Sequence, residues 1–114
     1  MVITASNLFS AKVPDTESGE ILEVLLSRPG LLLERIVSRG CPTPEGQWYD
    51  QDGDEWVMLA VGSAVLEIEG QAAVELQAGD FLLLPAHVRH RVEQVSGDAV
   101  WLALHLPPEA GARA

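Results

Sequence analysis

The chain has a single cysteine, Cys41. This excludes an intrachain disulfide framework and a zinc site built from several thiolates. Set between Gly40 and Pro42, Cys41 is read as unreactive. Basic residues are also scarce. Seven Lys and Arg face 17 Asp and Glu, for a net charge of −10. That sign repels phosphate backbones and anionic membrane surfaces, so neither nucleic acid nor a membrane is an expected partner. No apolar run approaches the length of a membrane span. The opening MVITASNLFSAK lacks the basic start and apolar stretch of a signal peptide. The expected location is the cytoplasm. Repeats, low-complexity tracts and linkers are missing as well. The 114 residues are therefore expected to form one domain, with an N-terminal extension over 1–20, a barrel over about 21–106 and a fraying tail over 107–114.

Hydrophobic residues make up 47% of the chain, enough for a real core. Turn signals recur at short intervals: RPG at 28–30, TPEG at 43–46, DG at 52–53, EGQ at 69–71, AGD at 78–80, PAH at 85–87 and SGD at 96–98. Short apolar segments lie between them, the rhythm of an antiparallel all-β sandwich or barrel. The expected strands are 21–26 (alternatively a short helix), 31–38, 47–51, 55–61, 64–69, 73–77, 81–84, 89–95 and 100–106. Pairing is expected between 21–26 and 31–38, between 47–51 and 55–61, and between 64–69 and 73–77. Segment 55–61 is apolar on both faces, Val57, Leu59 and Val61 on one and Trp56, Met58 and Ala60 on the other. Both faces should be covered, and a barrel this small has one interior. The second face calls for an N-terminal strand or another subunit, so a homodimer is expected.

One stretch invites a calcium reading. YDQDGDE places Asp50, Asp52 and Asp54 at alternate positions. Counted as an EF-hand from Asp50, the sixth position is Glu55 instead of glycine and the twelfth is Val61, which offers no oxygen. The EF-hand is rejected. Asp52-Gly53 reads instead as a tight hairpin turn, with the three aspartates solvated and Asp50 able to face a barrel mouth.

GDFLLLPAHVRHRVEQ at 79–94 places Gly79, Pro85, His87, His90 and Gln94 in the spacing of the second cupin signature, with His87 where glycine usually stands. Histidine tolerates positive φ better than most residues, so the departure is mild. The first signature has two histidines, a glutamate and a glycine. Glu55 and Gly62 match its second half, while Tyr49 and Gln51 stand at the histidine positions. The chain thus resembles the cupins. The stretches ERIVSRG, WYDQ, EWV, PAHVRHRV and WLALH look like those of small single-domain bacterial cupins, many without an assigned function. The resemblance implies a double-stranded β-helix, or jelly-roll barrel. It does not choose among dioxygenase, isomerase, decarboxylase, epimerase, storage and sensing roles.

The resemblance also implies a divalent metal, zinc, nickel, manganese or iron, held by Tyr49, Gln51, Glu55 and His90, with His105 or His87 able to supply a further imidazole. This set is weaker than three imidazoles. Gln51 offers a neutral carbonyl, and Tyr49 would have to lose a proton normally held with a pKa of about 10. A metal-free barrel is the other expectation. There Tyr49, Gln51, Glu55 and His90 form a satisfied polar cluster, with Glu55 paired to an arginine such as Arg35 or Arg91. Tyr49, Gln51 and Trp101 are the candidate ligand contacts, although Trp48, Trp56 and Trp101 read first as core or interface. The functional expectation is a barrel that binds a divalent metal or a small polar ligand around Glu55 and His90. The alternatives are a metal-dependent dioxygenase or isomerase, and a metal-free binding or structural module.

Overall fold

The computed structural model describes residues 1–10 and 20–109. It contains eight strands: β1 (Glu20–Arg28), β2 (Leu31–Ser38), β3 (Asp54–Val61), β4 (Ser63–Ile68), β5 (Val74–Gln77), β6 (Phe81–Leu84), β7 (His90–Val95) and β8 (Val100–Leu106). No helix long and apolar enough to cross a membrane occurs among the described residues. The strands form two antiparallel sheets, one of five in the order β1-β2-β8-β3-β6 and one of three in the order β5-β4-β7. The result is a jelly-roll barrel.

Alternation explains which faces meet. In β4, Ala64, Leu66 and Ile68 are buried while Ser63, Val65 and Glu67 are not. These inward residues pack against Val57 and Leu59 of β3, Leu76 of β5, Leu84 of β6 and Trp101 and Ala103 of β8. Leu59 and Ala103 have no solvent exposure. Small Ala103 beside large Trp101 lets the two sheets close at ordinary packing density. Trp101 also donates its Nε1–H to the Ser38 hydroxyl at 3.1 Å, which satisfies the indole's one polar atom inside the core.

The expected strands are present with one exception, and residues 21–26 belong to a strand, not a helix. The hairpins β1–β2 and β4–β5 pair as expected. Residues 47–51, however, do not form a strand and do not pair with β3. They touch the sheet through one bridge, Tyr49 with His90, and β3 pairs with β6 and β8 instead. The Asp52-Gly53 hairpin is corrected with it. Gly53 is required by crowding: a Cβ there would lie 2.3 Å from the carbonyl oxygen of Leu106. Glycine is needed so that the chain can pass the end of β8. The expected tail and N-terminal extension fall partly on residues 110–114 and 11–19, outside the described residues.

The outward face of the five-stranded sheet is apolar as well. Strand register lines up Leu26, Leu33, Leu104, Trp56 and Leu83 in one row across all five strands. The adjacent row runs Glu23, Arg35, Leu102, Met58, Phe81. Arg35 is buried here, with an ion pair to Glu23 and a bond to the Leu8 carbonyl at 3.1 Å.

Candidate functional site

The two signature segments are tied together by backbone. Tyr49 N–H donates to the His90 carbonyl at 2.8 Å, His90 N–H donates back to Tyr49 at 3.1 Å, and His87 N–H donates to the Gln51 carbonyl at 2.8 Å. The turn that carries the second signature has φ +64° at His87, the left-handed conformation glycine would supply. It is braced from below by Asp54. This buried carboxylate accepts the Ala86 N–H at 2.9 Å, so Asp54 is structural and not part of a solvated turn. Asp50 and Asp52 are exposed. They flank the His87 ring at 2.9 and 3.6 Å, which directs His87 outside the barrel.

Below this clamp lies a pocket of about 140 Å³. Tyr49, Gln51, Glu55, His90, His105 and Trp101 all line it, joined by Glu20 of β1 and Glu34 of β2. Leu22, Ile36, Val57, Leu66, Leu84 and Val92 supply apolar walls. Among the described residues no lysine or arginine lines it, and neither does His87. His105 is an inward residue because it shares the face of Trp101 and Ala103, and it lies directly opposite Glu55 in the β3–β8 register.

Glu55 sits at the centre. It is 8% exposed. His90 Nε2 lies 3.5 Å from one of its oxygens and His105 Nε2 lies 3.8 Å from the other. The arginine partners considered from sequence are engaged elsewhere, Arg35 with Glu23 and Arg91 with Glu67. Imidazoles take their place. The His90 Nδ1–H donates to the Val88 carbonyl at 3.0 Å, which leaves Nε2 facing the Glu55 carboxylate. A lone pair there would oppose a carboxylate, whereas a proton would bond to it. Burial alone lowers the His90 pKa. The bond to Glu55, the Val88 carbonyl and the Glu55 charge outweigh burial, and the net shift is upward from 6.5. His105 donates from Nε2 to the Glu34 carboxylate at 2.7 Å. The pocket therefore holds two Glu–His pairs.

Crowding of carboxylates shows at Glu20. Its residue is exposed, yet its carboxyl lines the pocket. Burial there, then the charges of Glu55 and Glu34, raise its pKa above 4.5. Tyr49 stacks on His90 with ring centres 5.6 Å apart. Burial, then Glu20, raise the tyrosine above 10, a bond with Thr43 partly opposes this, and Glu55 adds to it. A phenolate ligand is thus disfavoured. The four positions that correspond to the family's metal ligands all line the pocket. Only Glu55 and His90 carry donors of the usual kind. Among the described residues no group of three or more His, Cys, Asp or Glu is placed to hold a metal ion.

Glu20 and Glu34 were missed by sequence reasoning. A signal for Glu34 existed, a charged residue at an inward position of the apolar strand LLLERIVS. Glu20 lies at the very start of its strand, where alternation gives no warning.

Comparison with known proteins agrees with this geometry. The Cupin domain family matches residues 42–105. A crystal structure from Ralstonia eutropha JMP134, provisionally described as a mannose-6-phosphate isomerase, is 44% identical over 92% of this chain and 99% of its own, with a TM-score of 0.85. KdgF from a Halomonas species is 23% identical over 82% of this chain and 84% of its own, TM-score 0.69. An RmlC-like cupin from Desulfovibrio desulfuricans is 18% identical over 94% and 99%, TM-score 0.73. These two show a shared fold. Comparison with curated proteins returned no match. The family match begins just before the clamp at Tyr49 and ends at His105 inside the pocket, and on that span the chain belongs to the cupins.

Proposed function

We propose that this cupin binds a compact polar molecule, neutral or positively charged, in the mouth of its barrel. Glu55 is its central acceptor, with His90 and His105 as proton carriers beside it. One observation carries the reading: a buried glutamate flanked by two imidazole Nε2 atoms and by no arginine, in a pocket of about 140 Å³. A water occupies about 30 Å³ of liquid, so the space suits a molecule of roughly five to ten non-hydrogen atoms. Apolar walls would hold its carbon face, and the polar groups would fix its orientation.

The sign of the pocket sets the ligand class. Glu20, Glu34 and Glu55 line it, and among the described residues no lysine or arginine joins His90 and His105 in answering them. A sugar phosphate of the kind named for the Ralstonia protein would meet three carboxylates against two imidazoles. Thermal-shift titration tests this. Primary amines and neutral sugars of five carbons or fewer are the ligands expected to raise Tm, Glu55→Gln should abolish the rise, and mannose 6-phosphate should give none. A mannose 6-phosphate shift in metal-free protein would overturn the reading.

A second reading is an isomerase-like enzyme. Two Glu–His pairs facing one cavity are equipment for general acid–base transfer of a proton. Aldose–ketose conversion followed by NMR in deuterated water tests it, since exchange at the carbon next to the carbonyl reports proton removal. A divalent cation, zinc, nickel, manganese or iron, is the other candidate occupant, favoured by carboxylate crowding at Glu20. It would draw on Glu55, His90 and His105. Because His105 is held by Glu34, that set is not preassembled. Elemental analysis of protein purified without chelator or His tag decides the point. A cytoplasmic location fits the free, exposed Cys41, which a reducing compartment tolerates.

A further inference from the structure

The polar atoms of the pocket are unevenly committed. His90 gives its Nδ1–H to the Val88 carbonyl and turns Nε2 toward Glu55. His105 gives Nε2 to Glu34. Both imidazoles thus aim a ring nitrogen at a carboxylate. What remains for a ligand is mostly acceptor: the oxygens of Glu20, Glu34 and Glu55, which take hydrogen bonds and give none when ionised. Gln51 and Tyr49 add groups that both give and take, and the Tyr49 hydroxyl is already bonded to Thr43. Charge points the same way. With every carboxylate ionised and both imidazoles protonated, three negative charges face two positive ones, and one negative charge is left over. Glu20 registers the excess, since burial, then the charges of Glu55 and Glu34, hold its carboxyl above 4.5. A chain of net charge −10 also concentrates small cations around itself. Aliphatic walls surround these groups, among them Ile36, Val57, Leu66 and Leu84.

We propose that the pocket takes a short aliphatic primary amine, its ammonium among Glu55, Glu20 and Glu34 and its hydrocarbon chain against these walls. The inference rests on Glu55 as the central acceptor and adds which donor it meets. A primary ammonium carries a positive charge and three N–H donors, with no lone pair to place. It answers both the excess charge and the excess of acceptors. A polyol brings hydroxyl protons but leaves the charge standing, and its oxygens bring lone pairs that find few donors here. A quaternary ammonium balances the charge and offers no donor. The carboxylate oxygens it covers would be stripped of water with nothing in exchange, which is the costly case for a buried acceptor. A primary amine is also charged at neutral pH, because its pKa lies near the value of about 10.4 found for lysine.

Isothermal titration of the full, metal-free chain at neutral pH with butylamine, butanol, tetramethylammonium and erythritol tests this. Butylamine, butanol and tetramethylammonium are matched in size, so they separate charge from donor count. Butylamine should bind at least about 10-fold more tightly than either of the other two. Glu20→Gln and Glu34→Gln should each weaken butylamine at least about 3-fold and leave erythritol within about 2-fold of its wild-type affinity. Circular dichroism confirms that each variant is folded. Should a variant fail to fold, the ranking of the probes on the unmodified protein decides alone. Butanol binding as tightly as butylamine overturns the proposal, because charge would then count for nothing. Tetramethylammonium binding as tightly overturns the choice of a primary amine. Binding of erythritol that is lost in Glu55→Gln, with none of butylamine, overturns the amine and leaves Glu55 as the acceptor of a neutral ligand. Binding of no probe at all overturns both readings.

Discussion

Gly53→Ala is the sharpest test of how the site is framed. A Cβ at 53 would lie 2.3 Å from the Leu106 carbonyl oxygen and 3.4 Å from its carbon. Ordinary contact is about 1 Å longer than the first distance. The obstructing atom is backbone, and Leu106 is held in register with Asp54, so no side chain can swing aside. The end of β8 and the start of β3 must part. Overpacking of this kind costs about 1–3 kcal/mol. Gly53 does not have a positive φ, so backbone strain adds nothing. Alanine recovers about 0.4–1 kcal/mol from the unfolded chain. With an immovable contact this short the overpacking cost falls in the upper half of its range, about 2–3 kcal/mol, so a net loss of about 1–2.6 kcal/mol lowers Tm by roughly 4–10 °C at this chain size. Gly70→Ala is the control. Gly70 has φ +88° and open space around it, so its cost is conformational alone, about 1 kcal/mol before the same recovery. Thermal melts and urea titrations of both variants should rank Gly53→Ala as the worse. Because Gln51 and Glu55 straddle position 53, ligand affinity should fall with Gly53→Ala and not with Gly70→Ala. A Gly53→Ala melt within about 1 °C of wild type, or milder than Gly70→Ala, refutes the close-approach argument.

Three further outcomes follow from burial and charge. Leu59→Ala empties a fully buried site between the sheets and should cost about 2–5 kcal/mol in urea unfolding. Glu20→Gln relieves a carboxylate that burial and then Glu55 and Glu34 push upward in pKa, so at neutral pH it should raise Tm by on the order of 1–2 °C. His90 has a folded pKa raised above 6.5, so its charged pairing with Glu55 stabilises the fold fully below 6.5, and that contribution is lost as pH rises through the folded value. The urea midpoint of wild type should therefore fall across that window more than that of His90→Gln; equal slopes would count against the pairing.

The fold was legible in sequence because its signals are local. Alternation in Ala64–Ile68 and turn residues between short apolar runs depend on neighbours a few positions apart. The clamp between Tyr49 and His90 was not legible as pairing. Segment 47–51 has the composition of a strand, and only its contact with a residue 41 positions later, at one bridge, shows otherwise. Asp54 misled for a related reason. Next to Asp50 and Asp52 it looks like one more solvated carboxylate, yet it is buried and accepts the amide of Ala86, 32 positions later. Glu55 and His90 were found because the family spacing marks them. His105 was named only as a possible further imidazole; its place directly opposite Glu55 was not legible, because a sequence shows register across a sheet poorly.

Histidines have changed walls in this barrel. The two positions that hold imidazoles in the family carry Tyr49 and Gln51, while an imidazole enters from the opposite side as His105, with Glu34 behind it. This exchange alters charge more than it alters hydrogen bonding. Tyrosine and glutamine are neutral, as free histidines would be, but Glu34 and Glu20 add carboxylates. Like charges about 7 Å apart at an effective dielectric of about 20 repel by roughly 2 kcal/mol per pair. One hydrogen bond returns only about 0.5–1.5 kcal/mol. An anionic ligand would thus have to bring a cation or meet protonated carboxylates before its hydrogen bonds could hold it. Affinity for a phosphorylated sugar should therefore rise steeply on adding a divalent cation, or on replacing Glu20 and Glu34 by glutamine, while affinity for a neutral sugar should barely move. Isothermal titration of both ligands against both proteins measures the difference. Equal gains for the two ligands would mean that the carboxylates do not select by charge.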